Sequence, residues 1–221
     1  MAGSVWLGGG TVHLATRLGD PKVSQSASLL QDISDCLDEA GVKLAEVDLF
    51  ACASGPGSFT GLRIGIATLK ALAASLARPC VGIPTLHTVA HAAGPSRATV
   101  ALLPAGRGEV FAQMFSVSEG GIVTDLDAAA HLSPKRLVER YAEFRNLKWA
   151  GSGAHLQRDL LEDYAHQGGA LWELAALELN LAKHVALLAL QVFQSGEIQS
   201  PHSLNALYVR PSDAELNQKC R

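Results

Sequence analysis

The residues best suited to chemistry stand in one short stretch. SGPGSFTGLRIG, residues 54–65, places Gly55, Gly57, Gly61 and Gly65 between an apolar run, VDLFACAS (47–54), and a helical pattern, GLRIGIATLKALAASLA (61–77). Strand, glycine loop and helix in that order can hold an anion. The first turn of a helix offers free N–H groups and the positive end of its dipole, and glycines let an anion reach the backbone. Ser58 and Thr60 add hydroxyl donors, and Arg63 adds a charge one turn in. From Leu49 to Gly108 there are five Lys or Arg and no Asp or Glu, so no carboxylate nearby in sequence repels an anion.

The spacing fits no standard phosphate motif. Walker A needs GxxxxGK[ST], and no Lys-Ser or Lys-Thr follows Gly61. Gly55, Gly57 and Gly61 form GxGxxxG, one residue longer than the dinucleotide fingerprint. A hydrolase elbow is GxSxG, whereas Ser58 directly follows Gly57, so nucleophilic catalysis is not supported. The competing reading is structural: Gly55 and Gly57 make a turn, and Gly61 and Gly65 admit a close neighbour. Spacing alone leaves both readings open.

A second candidate is TLHTVAHAAG, 85–94. His87 and His91 lie four apart and would share one helix face, as two metal ligands do. The glutamate of HExxH is missing, since Thr88 follows His87, and no third ligand is announced by spacing. Surface or partly buried polar histidines are the simpler reading.

The elements that must position these residues follow from pattern. SVWL (4–7) and TVHLAT (11–16) around Gly8-Gly9-Gly10 read as a hairpin. Residues 24–40 read as a helix, with Leu29, Leu30, Ile33 and Leu37 at helical spacing and Gly41 as C-cap. Residues 47–54 suit a buried strand, 61–77 the strongest helix, CVGIP (80–84) a strand and 85–94 a short helix. Gly94-Pro95-Ser96 is a candidate boundary. TVALLPA (99–105) and EVFAQMFSV (109–117) form a hairpin across a GRG turn. Helices are predicted at 134–146 and 155–167, with WAGSG (149–153) as strand and turn between them. A long helix is predicted over 171–195, with a break near Asn180, and then an extended tail. Strands alternating with helices, plus hairpins, indicate a mixed α/β protein of two lobes.

Composition bounds the function. A formal net charge of -3 and a pI near 6.2 give no general attraction to nucleic acid or anionic membrane. No apolar stretch reaches the roughly 18 residues of a membrane span. No basic region followed by an apolar run opens the chain, so a cytoplasmic location is expected. Cys36, Cys52, Cys80 and Cys220 are far apart with no CxxC pair, which suits reduced thiols.

SGPGSFTGLRIGIATLKALA (54–73) resembles the signature of the TsaB (YeaZ) family. SLLQDISDCLDEAG (28–41), VDLFACAS, RPCVGIPTL (78–86), GRGEVFAQMF (106–115), WAGSGA (149–154) and LYVRPSDAE (207–215) match in the same order. The resemblance implies a degenerate ASKHA-type fold, the actin and hexokinase architecture, with mixed sheets flanked by helices. It implies an N-terminal lobe over 1–95 and a second over 96–221, with the C-terminal segment a candidate to pack back on the first. The implied role is non-catalytic. Such a subunit binds a TsaD-type transferase, joined by a TsaE-type ATPase, in forming N6-threonylcarbamoyladenosine at position 37 of tRNA. ATP and metal belong to the partner subunits and none is expected of its own. A homodimer is expected when it is alone, and tRNA is met only indirectly. Carried onto this sequence, Gly55, Pro56, Gly57, Ser58, Phe59, Thr60, Gly61 and Arg63 form the partner or nucleotide-binding loop. Leu62, Gly65, Leu69 and Leu72 mark the partner helix, and Arg107 and Glu109 the second hairpin.

The chain departs from that pattern at three points. The family's opening ILALDTS-like strand, with its aspartate, is absent, and SVWLGGGTVHLAT resembles the two strands that follow it. That strand lies inside the family's sheet, so a start upstream of Met1 is expected. Pro104-Ala105-Gly106-Arg107 replaces an Asp-Ala-Arg-Arg-like run. The His87/His91 pair is displaced by about two residues from the HxxxH metal pair of the related transferase, and no downstream aspartate motif accompanies it. A free-standing ASKHA-type kinase or peptidase-like hydrolase is the alternative function, but a kinase would need the first-strand aspartate and a second, acidic phosphate loop.

Overall fold

In the computed structural model, which describes residues 3–20, 22–23, 25–197 and 200–209, the glycine-rich start forms the expected hairpin. β1 (Ser4–Gly9) and β2 (Val12–Leu18) run antiparallel, with Gly10 at φ +61 in the turn. α1 (Gln25–Ala40) ends at Gly41, whose φ of +64 is the left-handed conformation that terminates helices. β3 (Phe50–Gly55), α2 (Phe59–Ser75), β4 (Cys80–Pro84) and α3 (Thr85–Ala92) follow close to their predicted positions. β3 and β4 are parallel, joined through α2 as a crossover.

The chain then builds a larger sheet. β5 (Ser96–Gly106) and β6 (Glu109–Val117) pair across Arg107-Gly108, both at positive φ, as a two-residue hairpin turn requires. β7 (Val123–Asp125) and β8 (Ala130–Leu132) pair with β6. After α4 (Pro134–Tyr141), β9 (Asn146–Ala150) adds parallel to β5. α5 (Ser152–Leu156) and α6 (Arg158–Gly168) lead to β10 (Leu171–Leu174), parallel to β9. The strand order is β10-β9-β5-β6-β7. α7 (Leu181–Gln194) comes last.

Three predicted elements change, and two short strands are added. The helix expected over 134–146 stops at Tyr141, because Leu147 and Trp149 alternate into the core as a strand, both 3% exposed or less. The helix over 155–167 is two helices that meet at Gln157. The long helix over 171–195 is a strand, then a connection, then α7. Trp172 and Leu174 pack on the core at strand period, and the Asn180 side chain caps α7 by accepting from the Lys183 N–H at 3.4 Å. β7 and β8, of three residues each, went unpredicted.

The chain divides into two compact units. The first holds residues up to Ala92 and then Glu178–Ala206. Here β1–β2 and β3–β4 are separate two-stranded sheets. α7 packs on β1, β3 and β4, α1 on β1 and β2, and α2 on β3. Its best-buried cluster is Ile66, Leu69, Ala73, Cys80 and Leu204. Lys70 Nζ donates to the carbonyls of Leu204 (3.1 Å) and His202 (3.5 Å), which fastens that segment to α2. The second unit holds Ala93–Leu177 and, among the described residues, also those from Leu207. Its core centres on Val100, Leu102, Val110, Leu137, Tyr141 and Trp149, all 1% exposed or less. Asp127 ties it together, accepting from the Met114 N–H, Arg140 and the Tyr141 hydroxyl. Cys220 and most of the 207–215 match lie outside the described residues.

Candidate functional site

The glycine loop is anchored at one end and open at the other. Ser54, Gly55 and Pro56 are buried, whereas Gly57 through Thr60 are exposed. Gly55 has φ +118, a conformation only glycine adopts freely, so its place in the motif is dictated by the backbone. Its N–H donates to Thr85 Oγ1 at 3.2 Å, which links the loop to the start of α3. The Ser58 hydroxyl accepts from the Gly61 N–H at 3.3 Å and is the N-cap of α2. The motif serine is therefore engaged in starting a helix. Arg63 lies over the Phe59 ring, its guanidinium carbon 3.8 Å from the centroid, so both stay at the exposed first turn.

Along α2 one face is core and the opposite face is bare. Ile66, Leu69 and Ala73 are buried; Leu62, Gly65 and Leu72 are half-buried; Arg63, Ala67, Ala71 and Ala74 are exposed. Leu69, expected on the partner face, belongs to the chain's own core. Among the described residues, a Cβ on Gly65 would meet nothing within 4 Å, so none of them needs that glycine. α1 touches α2 and shows the same incompleteness. Its apolar stripe Leu29, Ile33 and Leu37 is only half-buried, Leu30 is 65% exposed, and only Cys36 is fully buried among its described side chains. An amphipathic helix normally hides its apolar stripe; this one does so partly.

The second-hairpin residues sit in the second unit. Arg107 occupies the turn at φ +52, and Glu109 Oε2 lies 2.9 Å from His131 Nε2. Gln157 Nε2 donates to the Gly108 carbonyl at 2.9 Å, which braces the turn.

The histidine pair behaves differently from its sequence reading. His91 Nδ1 lies 2.8 Å from His184 Nδ1, with the rings edge-on at 5.0 Å. Glu178 Oε2 is 3.9 Å from His184 Nε2. Burial lowers the His91 pKa, helped by Lys183; burial, with His91 beside it, lowers His184 to about 4. No spacing rule could link His91 to a residue 93 positions later. Among the described residues, no three or more His, Cys, Asp and Glu side chains are arranged to hold a metal ion. Burial also pushes the Cys52 thiol up to about 12, which keeps it protonated and unreactive at neutral pH.

A model of the family described as "TsaD: tRNA N6-adenosine threonylcarbamoyltransferase" matches residues 24–204, and the chain belongs to that family. Within it, the chain is similar to the tRNA threonylcarbamoyladenosine biosynthesis protein TsaB of Escherichia coli (strain K12), 29% identical over 186 residues, 82% of this chain and 79% of that protein. In structure it is similar to YeaZ from Pseudomonas aeruginosa, with a TM-score of 0.68, 25% identity and 87% of each chain covered. The tRNA N6-adenosine threonylcarbamoyltransferase of Agrobacterium fabrum (strain C58) is 45% identical, but over 60 residues, 27% of this chain and 16% of that protein. The TsaB (YeaZ) resemblance and the ASKHA-type fold class stand.

Proposed function

We propose that this chain is a non-catalytic subunit that binds and supports a TsaD-type transferase in forming N6-threonylcarbamoyladenosine at position 37 of tRNA. The observation that carries the reading is the α1–α2 face. Half-buried Leu29, Ile33 and Leu37, exposed Leu30 and the bare alanine side of α2 leave apolar surface for a partner helix. The share of length covered supports TsaB over the transferase itself, at 79% of the one protein and 16% of the other. The engaged Ser58 and the His91–His184 contact support a subunit without its own chemistry. ATP and metal are then used by the partners, a TsaE-type ATPase among them, and tRNA is met through the complex. The exposed loop Gly57–Thr60 with Arg63 borders the same face, and a second copy occupies it when the transferase is absent.

The test is co-expression of the tagged chain with the TsaD-type protein of the same organism. A one-to-one complex that threonylcarbamoylates tRNA, with no activity from this chain alone, is expected. A folded chain that captures no transferase overturns the reading. Gly65→Arg sharpens it: the substitution removes a helix glycine, so stability should hold or rise by up to about 1 kcal/mol, while affinity falls at least about tenfold, or 1.4 kcal/mol. Unchanged affinity in the folded variant removes this face from the interface.

A further inference from the structure

His91 and His184 stand where the chain leaves and returns to the first unit. The departure follows Ala92, one residue after His91, and the return is at Glu178, six residues before His184. The contact between them joins the last turn of α3 to the first turns of α7, elements that already pack together.

The distances define a proton arrangement. At 2.8 Å, one Nδ1 must carry a hydrogen and the other a lone pair. The Glu178 carboxylate beyond His184 Nε2 favours a hydrogen on that nitrogen, which leaves His184 Nδ1 as acceptor and His91 Nδ1–H as donor. Both rings are then neutral. One added proton can go to His91 Nε2 and leave the single Nδ1–H···Nδ1 hydrogen in place. A second puts hydrogens on both, facing each other, and the contact cannot survive.

The surroundings oppose charging. Lys183 on α7 is a nearby cation that disfavours it, and Glu178 favours it. His87 lies one turn before His91 on α3. β1, β3 and β4, which pack against α7, bring no Asp, Glu, Lys, Arg or His; Cys52 and Cys80 are thiols whose pKa burial raises.

We propose that the His91–His184 pair is an acid-sensitive clamp holding together the two points at which the chain leaves and re-enters the first unit, closed when both imidazoles are neutral and open when both are charged.

The sign follows from linkage. Both folded-state pKa values lie below the unfolded value of about 6.5, so the unfolded chain binds more protons below that pH. The clamp contributes fully above about 6.5 and fades as pH falls towards about 4.

The experiment is a histidine-resolved NMR titration of the full chain from pH 8 to 3.5, with amide exchange of α3 and α7 corrected for intrinsic pH dependence. Two imidazoles should titrate below 6.5, and protection in residues 89–92 and 181–185 should fall at least about tenfold as they do so. His91→Gln should abolish that step and leave the second unit's exchange unchanged. Ordinary titration of all eight histidines, measurable whether or not the variant folds, overturns the proposal. So does protection that stays constant while the pair charges.

Discussion

The first unit is the richer in helix and the second the richer in strand, and the two are finished to different degrees. In the second, a six-stranded sheet carries Val100, Leu102, Val110 and Trp149 beneath α4 and α6, and each is 1% exposed or less. In the first, the sheet is two disconnected pairs, β1 from Ser4 to Leu7 and β3 from Phe50 to Ala53 are half-buried throughout, and α1 shows Leu30 to solvent. A continuous sheet satisfies its backbone and hides its side chains in one act. An interrupted one leaves apolar strands and helices with surface still to cover. The second unit is a self-sufficient core, and the first is the one whose contacts another chain can complete.

That contrast can be broken experimentally, beginning with the largest effect. Trp149→Ala removes a ring packed edge-on against Tyr141 at 5.6 Å and Trp172 at 4.9 Å. It should cost about 3–5 kcal/mol, read by denaturant unfolding, with exchange accelerated throughout residues 100–161. A cost near 1 kcal/mol would mean that this core is not tightly packed. Leu204→Ala acts on the first unit's cluster, where Leu204 is 2% exposed. It should cost about 2–3 kcal/mol, the lower part of the range for leucine truncation, because fewer buried residues surround it; protection of α2 reports it. A loss equal to that of Trp149→Ala would erase the difference between the units. Leu30→Lys should change stability by no more than about 0.5 kcal/mol, and a partner bound to α1 should be released. A large loss of stability in the isolated chain would place Leu30 in a core.

Local signals were legible in the sequence and distant ones were not. The β1–β2 and β5–β6 hairpins carry glycines at positive φ. α2 has its Ser58 cap and a run of alanine and leucine, and β3 ends at a glycine whose φ admits little else. Each is decided within a few residues. β10 was misread because LWEL sits in a stretch rich in leucine and alanine, and its partner β9 lies twenty-five positions earlier. Leu204 joins a core from a segment with no helix or strand, so no periodicity marks it. The site divides the same way. The loop was visible from its glycines, whereas the use of Ser58 as a cap, the burial of Leu69 and the His91–His184 contact required the fold.

The return of residues 178–206 to the first unit also sets an order of assembly. On a ribosome the second unit's core, spanning residues 100–161, emerges as one continuous piece and can close at once. The first unit begins earlier and finishes later, since α7 and Leu204 are made after the second unit's core. Its half-formed sheets and apolar helices must wait through the synthesis of about a hundred residues. During that interval the nascent chain is at its most aggregation-prone, and a chaperone has its reason to engage.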